Sequence, residues 1–182
     1  VPGVLAEERV RAERLVRDAV AAAPRWTEPR RAEAQGYLRA ELGPDGVEQL
    51  IRWASITDEH EADPGHPEGL VYEVDPSGRR TLVALVLLLA PGTLRADAPD
   101  LGGALAPWRT QDHLCVSGSG DLRQVAGLAA ADGSCPAGQE QVGTMLRQQI
   151  WVVPHRCGPF AGLDDVADRA ARGSADACAS AP

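Results

Sequence analysis

All four cysteines, Cys115, Cys135, Cys157 and Cys178, stand in the last third of a 182-residue chain. An even, clustered set in an acidic chain reads as two disulfides, and disulfides persist in oxidising compartments. Pairing Cys115 with Cys135 and Cys157 with Cys178 closes two loops of similar size, each stabilising by about 3 kcal/mol through the unfolded chain. Four cysteines permit three connectivities, and the sequence alone does not choose among them. Zinc is the competing chemistry, but its knuckles want cysteines two to four residues apart, whereas these gaps are about twenty.

The histidines are His60, His66, His113 and His155, and no two of them have H-x-H or H-x-x-x-H spacing. His60 and His66 sit in a Pro/Gly loop among Asp58, Glu59, Glu61 and Asp63. That loop reads as a solvated acidic turn, with a weak surface cation site as the sharper alternative. His113 beside Asp112 is either an acid–base pair or a polar strand edge. The run Ser117-Gly118-Ser119-Gly120-Asp121 looks like a phosphate cradle but lacks the lysine and helix start that such a cradle uses. Glu7 and Glu8 with their neighbouring arginines read as a solvated helix face. No nucleophile motif, phosphate loop or strong metal motif is present.

The elements that must hold these residues emerge from pattern and composition. Hydrophobic residues are 44% and charged residues 24%, as in a folded protein. The net charge of −8 argues against a nucleic-acid footprint and against attraction to anionic lipid. All 18 basic residues are arginine and asparagine is absent, a mark of GC-rich coding. Aromatics are only 4%, so the four tryptophans matter as packing anchors. The longest apolar run, Thr81 to Ala90, is about ten residues against roughly twenty for a membrane-spanning helix. The chain begins at Val1, which fits removal of an export signal or a boundary there.

Leu5, Val10, Leu15, Val16 and Ala19 or Val20 recur at helical spacing, so a helix over 5–23 is expected, ended by Pro24. A second helix is expected from Glu28 to Leu42, with Thr27 as N-cap. Residues 47–56 are either a third short helix or an extended segment carrying Trp53. A hairpin comes next: strand 70–74, a turn at Asp75-Pro76-Ser77-Gly78, and strand 79–89 buried on both faces. Further strands are expected over 108–117 and 149–153, separated by a Gly/Ala-rich loop that carries Cys135. Helices first and strands afterwards indicate an α+β fold. The expected architecture is one domain over 1–182, with two or three N-terminal helices packed on a small, mainly antiparallel sheet. Residues 1–25 hold the N-terminal helix, the C-terminal part is loop-rich and disulfide-stapled, and 165–182 form a loosely ordered tail.

Several short segments, in order, resemble a family of exported bacterial proteins of unknown function. They are Ala32-x-Ala34-x-Gly36-Tyr37, Pro67-Glu68-x-Leu70-Val71-Tyr72-Glu73, Pro91-Gly92-Thr93 and Pro99-Asp100-Leu101-Gly102-Gly103. Trp108 with Leu114-Cys115 and Trp151 with Gly158-Pro159-Phe160-Ala161 complete the set. The family pattern carries four histidines, which the resemblance implies form a metal site, since imidazole is a common transition-metal ligand. At the corresponding positions this chain has Gln49, Arg109, Gln111 and Gln149. Amides do not compete for such metals, and a guanidinium opposes a cation in the same cavity.

The resemblance therefore implies a vacated, metal-free polar pocket formed by Gln49, Arg109, Gln111 and Gln149, with Trp53, Trp108 and Trp151 nearby. Such a pocket can bind a small polar or anionic ligand through Arg109, or its residues can merely satisfy one another. The expectation is an exported, extracellular or cell-envelope protein, non-enzymatic, with no cofactor, no nucleic-acid partner and no membrane span. Two alternatives remain open at this level: a metal-binding protein or metal-dependent enzyme using the remaining histidines, and a protein-interaction module.

Overall fold

A computed structural model describes residues 3–40, 46–58 and 60–162. Helix α1 (Ala6–Ala22) is opened by the Glu8 carboxylate, which accepts the Leu5 N–H at 2.8 Å. Its buried stripe is Ala12, Leu15, Ala19 and Ala22, while Leu5, Val10 and Val20 are exposed. Only part of the expected apolar stripe is therefore buried. At Ala12 only a small side chain fits, because the chain at Gly102 presses on the helix: a Cβ there would lie 2.7 Å from Ala12 Cβ.

A 3₁₀ turn at Ala23–Trp26 comes next, then the six-residue helix α2 (Pro29–Ala34). The long second helix is therefore a correction. Gly36, at φ +90°, turns the chain out of helical geometry. Tyr37 is then buried edge-on against Trp26 and donates to the Pro67 carbonyl at 2.5 Å. Thr27 does not cap α2 either: its hydroxyl donates back to Pro24 O, and Glu28 holds the N-cap position.

Beyond α2 the chain is built of β-strands. Strands β1 (Leu38–Ala40), β2 (Val47–Ile51), β3 (Gly69–Val74), β4 (Arg80–Leu88), β5 (Arg109–Gln111) and β9 (Met145–Trp151) form one antiparallel sheet in the order β1-β2-β3-β4-β9-β5. Strands β6 (Leu114–Ser117), β7 (Gln124–Leu128) and β8 (Glu140–Gln141) form a second, in the order β7-β6-β8. The fold is α+β, with two antiparallel sheets where one small sheet was expected. The 47–56 segment resolves as strand β2 plus a single 3₁₀ turn at Trp53–Ser55. The hairpin stands where expected, and β4 is buried on both faces from Leu82 onward.

Burial of β4 on both sides defines three layers. On one side of the large sheet Leu15, Ala19 and Trp26 pack against Leu70, Leu85 and Ile150. On the other, Ile51, Val71, Val86 and Trp151 pack against Leu114, Val116 and Val125 of the small sheet. The sheets are joined at a corner. The expected strand 108–117 is really β5 and β6, bent at Asp112-His113, where His113 takes φ +60°. Opposite it, β8 and β9 are bent at Val142–Thr144, and the Val142 N–H donates to Leu114 O at 3.0 Å. Strands that switch sheets need such irregular corners. The Cys115–Cys135 disulfide, with Cα atoms 5.7 Å apart, ties β6 to the loop between β7 and β8. Cys157 is also disulfide-bonded. Cys178 and the tail 165–182 lie outside the described residues, as does Leu42.

Candidate functional site

Register decides which candidate residues can meet. Side chains alternate along a strand, so residues two apart share a face. Gln49 pairs with Val71, Val71 with Ala84, and Ala84 with Trp151. Ile51, Gly69, Val86 and Gln149 form the next row. Arg147 pairs with Leu88 on one side and Arg109 on the other, and Gln111 with Met145. Gln49, Arg109, Gln111 and Gln149 therefore all belong to the face that turns toward the small sheet.

They do not all touch. Arg147 donates from Nη2 to Gln149 Oε1 at 2.7 Å and from Nη1 to Gln111 Oε1 at 3.3 Å. Arg109 stands directly opposite Arg147, and its Nη2 donates to Phe160 O at 3.1 Å. Gln49 is buried three strands away from Gln149, roughly 14 Å at 4.8 Å per strand. So Gln111 and Gln149 are joined through one guanidinium, Arg109 flanks them, and Gln49 lies apart. Arg147, the hub, was missed from sequence. The signal was there: it precedes Gln149 by two, and a strand starting earlier than 149 puts both on one face.

The tryptophans separate. Trp53 and Trp151 lie in the inter-sheet core, Trp151 with its Nε1 donating to Ala161 O at 2.9 Å and His155 stacked on its ring. Trp108 lies in the core under α1, and its Nε1 donates to Pro99 O. It is not a neighbour of the amide cluster.

Polar burial around the cluster is incomplete. Gln149 is 3% exposed, and its Nε2 has no hydrogen-bond partner. Gln148, pointing the other way from the same strand, is fully buried and donates to Gln149 O, while its Oε1 has no partner. A buried amide atom without a partner costs about 1–3 kcal/mol. The Gln149 donor lies beside a guanidinium in the cluster, so an acceptor there would be met by donors from two residues.

The residual histidines are placed differently. Asp112 accepts the Thr144 hydroxyl at 2.5 Å, and His113 Nδ1 faces Gln141 Nε2 at 3.4 Å. Asp112 and His113 make no hydrogen bond to each other; both line a depression of about 340 Å³ at the sheet corner. The His60 and His66 rings lie with centroids 4.1 Å apart, tilted by 35°, and Asp63 bonds His66 at 2.8 Å. Those contacts and the Gly65 N–H hold the Asp63 carboxyl below its ordinary range, against its partial burial. Among the described residues no group of three or more His, Cys, Asp or Glu side chains is placed to hold a metal ion.

One buried carboxyl belongs to none of these sets. Glu68, 1% exposed, precedes β3 and accepts the Leu88 N–H at 2.8 Å, adding one bond beside the β3–β4 ladder before β3 begins. Its Oε1 has no partner, and burial pushes its pKa up to about 8.

A groove of about 800 Å³, larger than the depression at the sheet corner, lies between α1 and the 104–107 and 157–161 segments, with Arg109 in its wall. Among the described residues no helix is long and apolar enough to cross a membrane. No protein-family model matches this chain, and neither a curated protein nor a solved structure matches it.

Proposed function

We propose that this chain is an exported, non-enzymatic protein whose guanidinium–amide cluster on β5 and β9 binds a small polar anion. The carrying observation is the buried Gln149 Nε2, an amide donor without an acceptor, on the side chain whose Oε1 accepts from the Arg147 guanidinium. A buried donor of that kind favours an acceptor atom placed against it. Guanidinium and amide groups recognise oxyanions by hydrogen bonds without any ion. Retention in an oxidising compartment is supported by the Cys115–Cys135 disulfide. The resemblance of the chain to a family of exported bacterial proteins points the same way, with the family's imidazoles replaced by amides and a guanidinium.

The test is a thermal-shift and calorimetric titration with phosphate, succinate and citrate, on the wild type and on Arg147→Met. A saturable rise in melting temperature is the signature of ligand linkage. The expected result is saturation by at least one anion below about 10 mM, with loss in Arg147→Met. No saturable response to any anion would refute the reading. So would stoichiometric zinc, copper or iron in purified protein that disappears in His113→Ala.

A further inference from the structure

The loop between the Trp53–Ser55 turn and β3 holds two imidazoles whose inner nitrogens are both spoken for. The His60 and His66 rings lie against each other, centroids 4.1 Å apart and planes tilted by 35°. Each has an aspartate at its Nδ1. Asp63 Oδ2 lies 2.8 Å from His66 Nδ1, and Asp58 Oδ1 lies 3.5 Å from His60 Nδ1. A carboxylate only accepts, so His66 donates from Nδ1 and its Nε2 keeps a lone pair. The longer contact favours the same tautomer in His60. Both aspartates are fixed in turn by the backbone: Asp63 Oδ1 accepts the Gly65 N–H and Asp58 Oδ1 accepts the His60 N–H, each at 2.8 Å. Between the histidines the chain passes through Ala62 at φ +59°, a left-handed conformation unfavourable for a residue with a side chain. It is held there by Asp63 N–H donating to His60 O and His66 N–H donating to Asp63 O. The two rings are about half exposed, so an ion reaches them from solvent.

We propose that His60 and His66 bind one divalent transition-metal ion, Cu2+ or Zn2+, through their two Nε2 atoms, with water in the remaining positions. Donation of the other ring nitrogen to a carboxylate is the arrangement that orients a metal-binding imidazole and raises its basicity. Two imidazoles on one ion, with metal–nitrogen bonds of about 2.0 Å, have their nitrogens about 3 Å apart. Ring centres 4.1 Å apart are compatible with that separation. Asp58 and Asp63 act as positioning residues rather than ligands, which agrees with there being no group of three or more ligating side chains among the described residues. Two protein ligands make an open, exchangeable site rather than a closed structural one. The local charge suits a cation: Asp58, Glu59, Glu61 and Asp63 stand against one guanidinium, Arg25, whose Nη1 donates to Gly65 O at 3.3 Å. The site is independent of the anion cluster on β5 and β9.

The experiment is isothermal titration of the intact protein with Cu2+ and Zn2+, and with Mg2+ as control, on the wild type, His60→Ala, His66→Ala and Asp63→Asn. The expected result is saturation at one ion per chain with a Kd below about 100 μM, Cu2+ binding more tightly than Zn2+ and Mg2+ not binding. Each histidine variant weakens binding at least about tenfold, and Asp63→Asn, which keeps both ligands and loses the orienting charge, weakens it about tenfold. A second measurement needs no variant: in the nitrogen NMR spectrum of the wild type, Zn2+ shifts the Nε2 resonances of His60 and His66 together and leaves those of His113 and His155 in place. Binding unchanged in either histidine variant or in Asp63→Asn overturns the assignment. So does Mg2+ binding as tightly as Zn2+, which would make the loop a carboxylate site. If no metal saturates, the proposal falls and the anion reading stands without it. Metal that is lost in His113→Ala and kept in His60→Ala overturns both.

Discussion

Raising the pH from 5 to 8 is expected to destabilise this protein through Glu68. Its carboxyl is 1% exposed, has one oxygen bonded to the Leu88 N–H and the other unpaired, and carries a pKa of about 8 against an ordinary 4.5. Desolvation is the largest contribution, opposed by the Leu88 hydrogen bond and reinforced by Asp58 and Asp63. Proton counting gives the sign. Between pH 4.5 and about 8 the unfolded chain has released this proton and the folded chain still holds it. The folded state binds more protons there, so stability falls as pH rises, by at most about 1.4 kcal/mol per pH unit. Over the whole window the upper limit is roughly 5 kcal/mol, and relaxation of the site brings the effect to a few kcal/mol. Above the folded pKa the loss levels off.

The assay is urea denaturation at fixed ionic strength from pH 5 to 9, on wild type and Glu68→Gln. The amide does not ionise, so its stability curve lacks the Glu68 contribution whatever its absolute height. The difference between the two proteins therefore changes by a few kcal/mol across the window. Parallel curves for the two proteins would refute the reasoning, because they would mean that Glu68 titrates alike in the folded and unfolded chains. The acid limb has a separate cause. Hydrogen bonds hold Asp75, Asp100 and Asp132 below their ordinary values, so their contribution is lost only as pH falls through the folded pKa, below that of a free aspartate.

Three further outcomes are expected. Replacing Cys115 and Cys135 together with alanine costs about 3 kcal/mol for a loop of 20 residues, seen as a fall in melting temperature of about 6–12 °C; a fall under about 2 °C would contradict it. Gly102→Ala costs about 1–3 kcal/mol, because φ is +148° and the new methyl meets Ala12 at 2.7 Å; unchanged stability in urea would show that the α1 contact yields freely. Tyr72→Phe costs about 1–2 kcal/mol, because the buried hydroxyl donates to Trp26 O at 2.7 Å and its loss orphans that carbonyl; a variant as stable as wild type would contradict this.

The α1 helix, the hairpin of β3 and β4, and the α+β class were legible in the residue order because each rests on a local pattern. Helical spacing marks α1 even though only part of the expected stripe is buried. The continuous run from Leu82 marks a strand buried on two sides. The disulfide chemistry was legible too, since twenty-residue gaps disfavour zinc. Local pattern misled where a distant partner outweighed it. Residues 37–40 carry helix-forming neighbours, yet Tyr37 is buried against Trp26 and the chain enters β1.

The amino-acid order by itself pointed to Arg109, Gln111 and Gln149 and to most of the elements that carry them, but not to Arg147 or the buried Glu68. Which of them meet was decided by the tertiary structure. Strand register sets Arg109 against Arg147, and the same register leaves Gln49 three strands from Gln149. The bend at Asp112-His113 hands one strand to two sheets. Trp108 goes to the helix side because its neighbour Arg109 faces the other way. Alternation is a property of one strand and can be read along the chain. Register and sheet switching depend on hydrogen bonds and packing between residues far apart in sequence, and no local period encodes them.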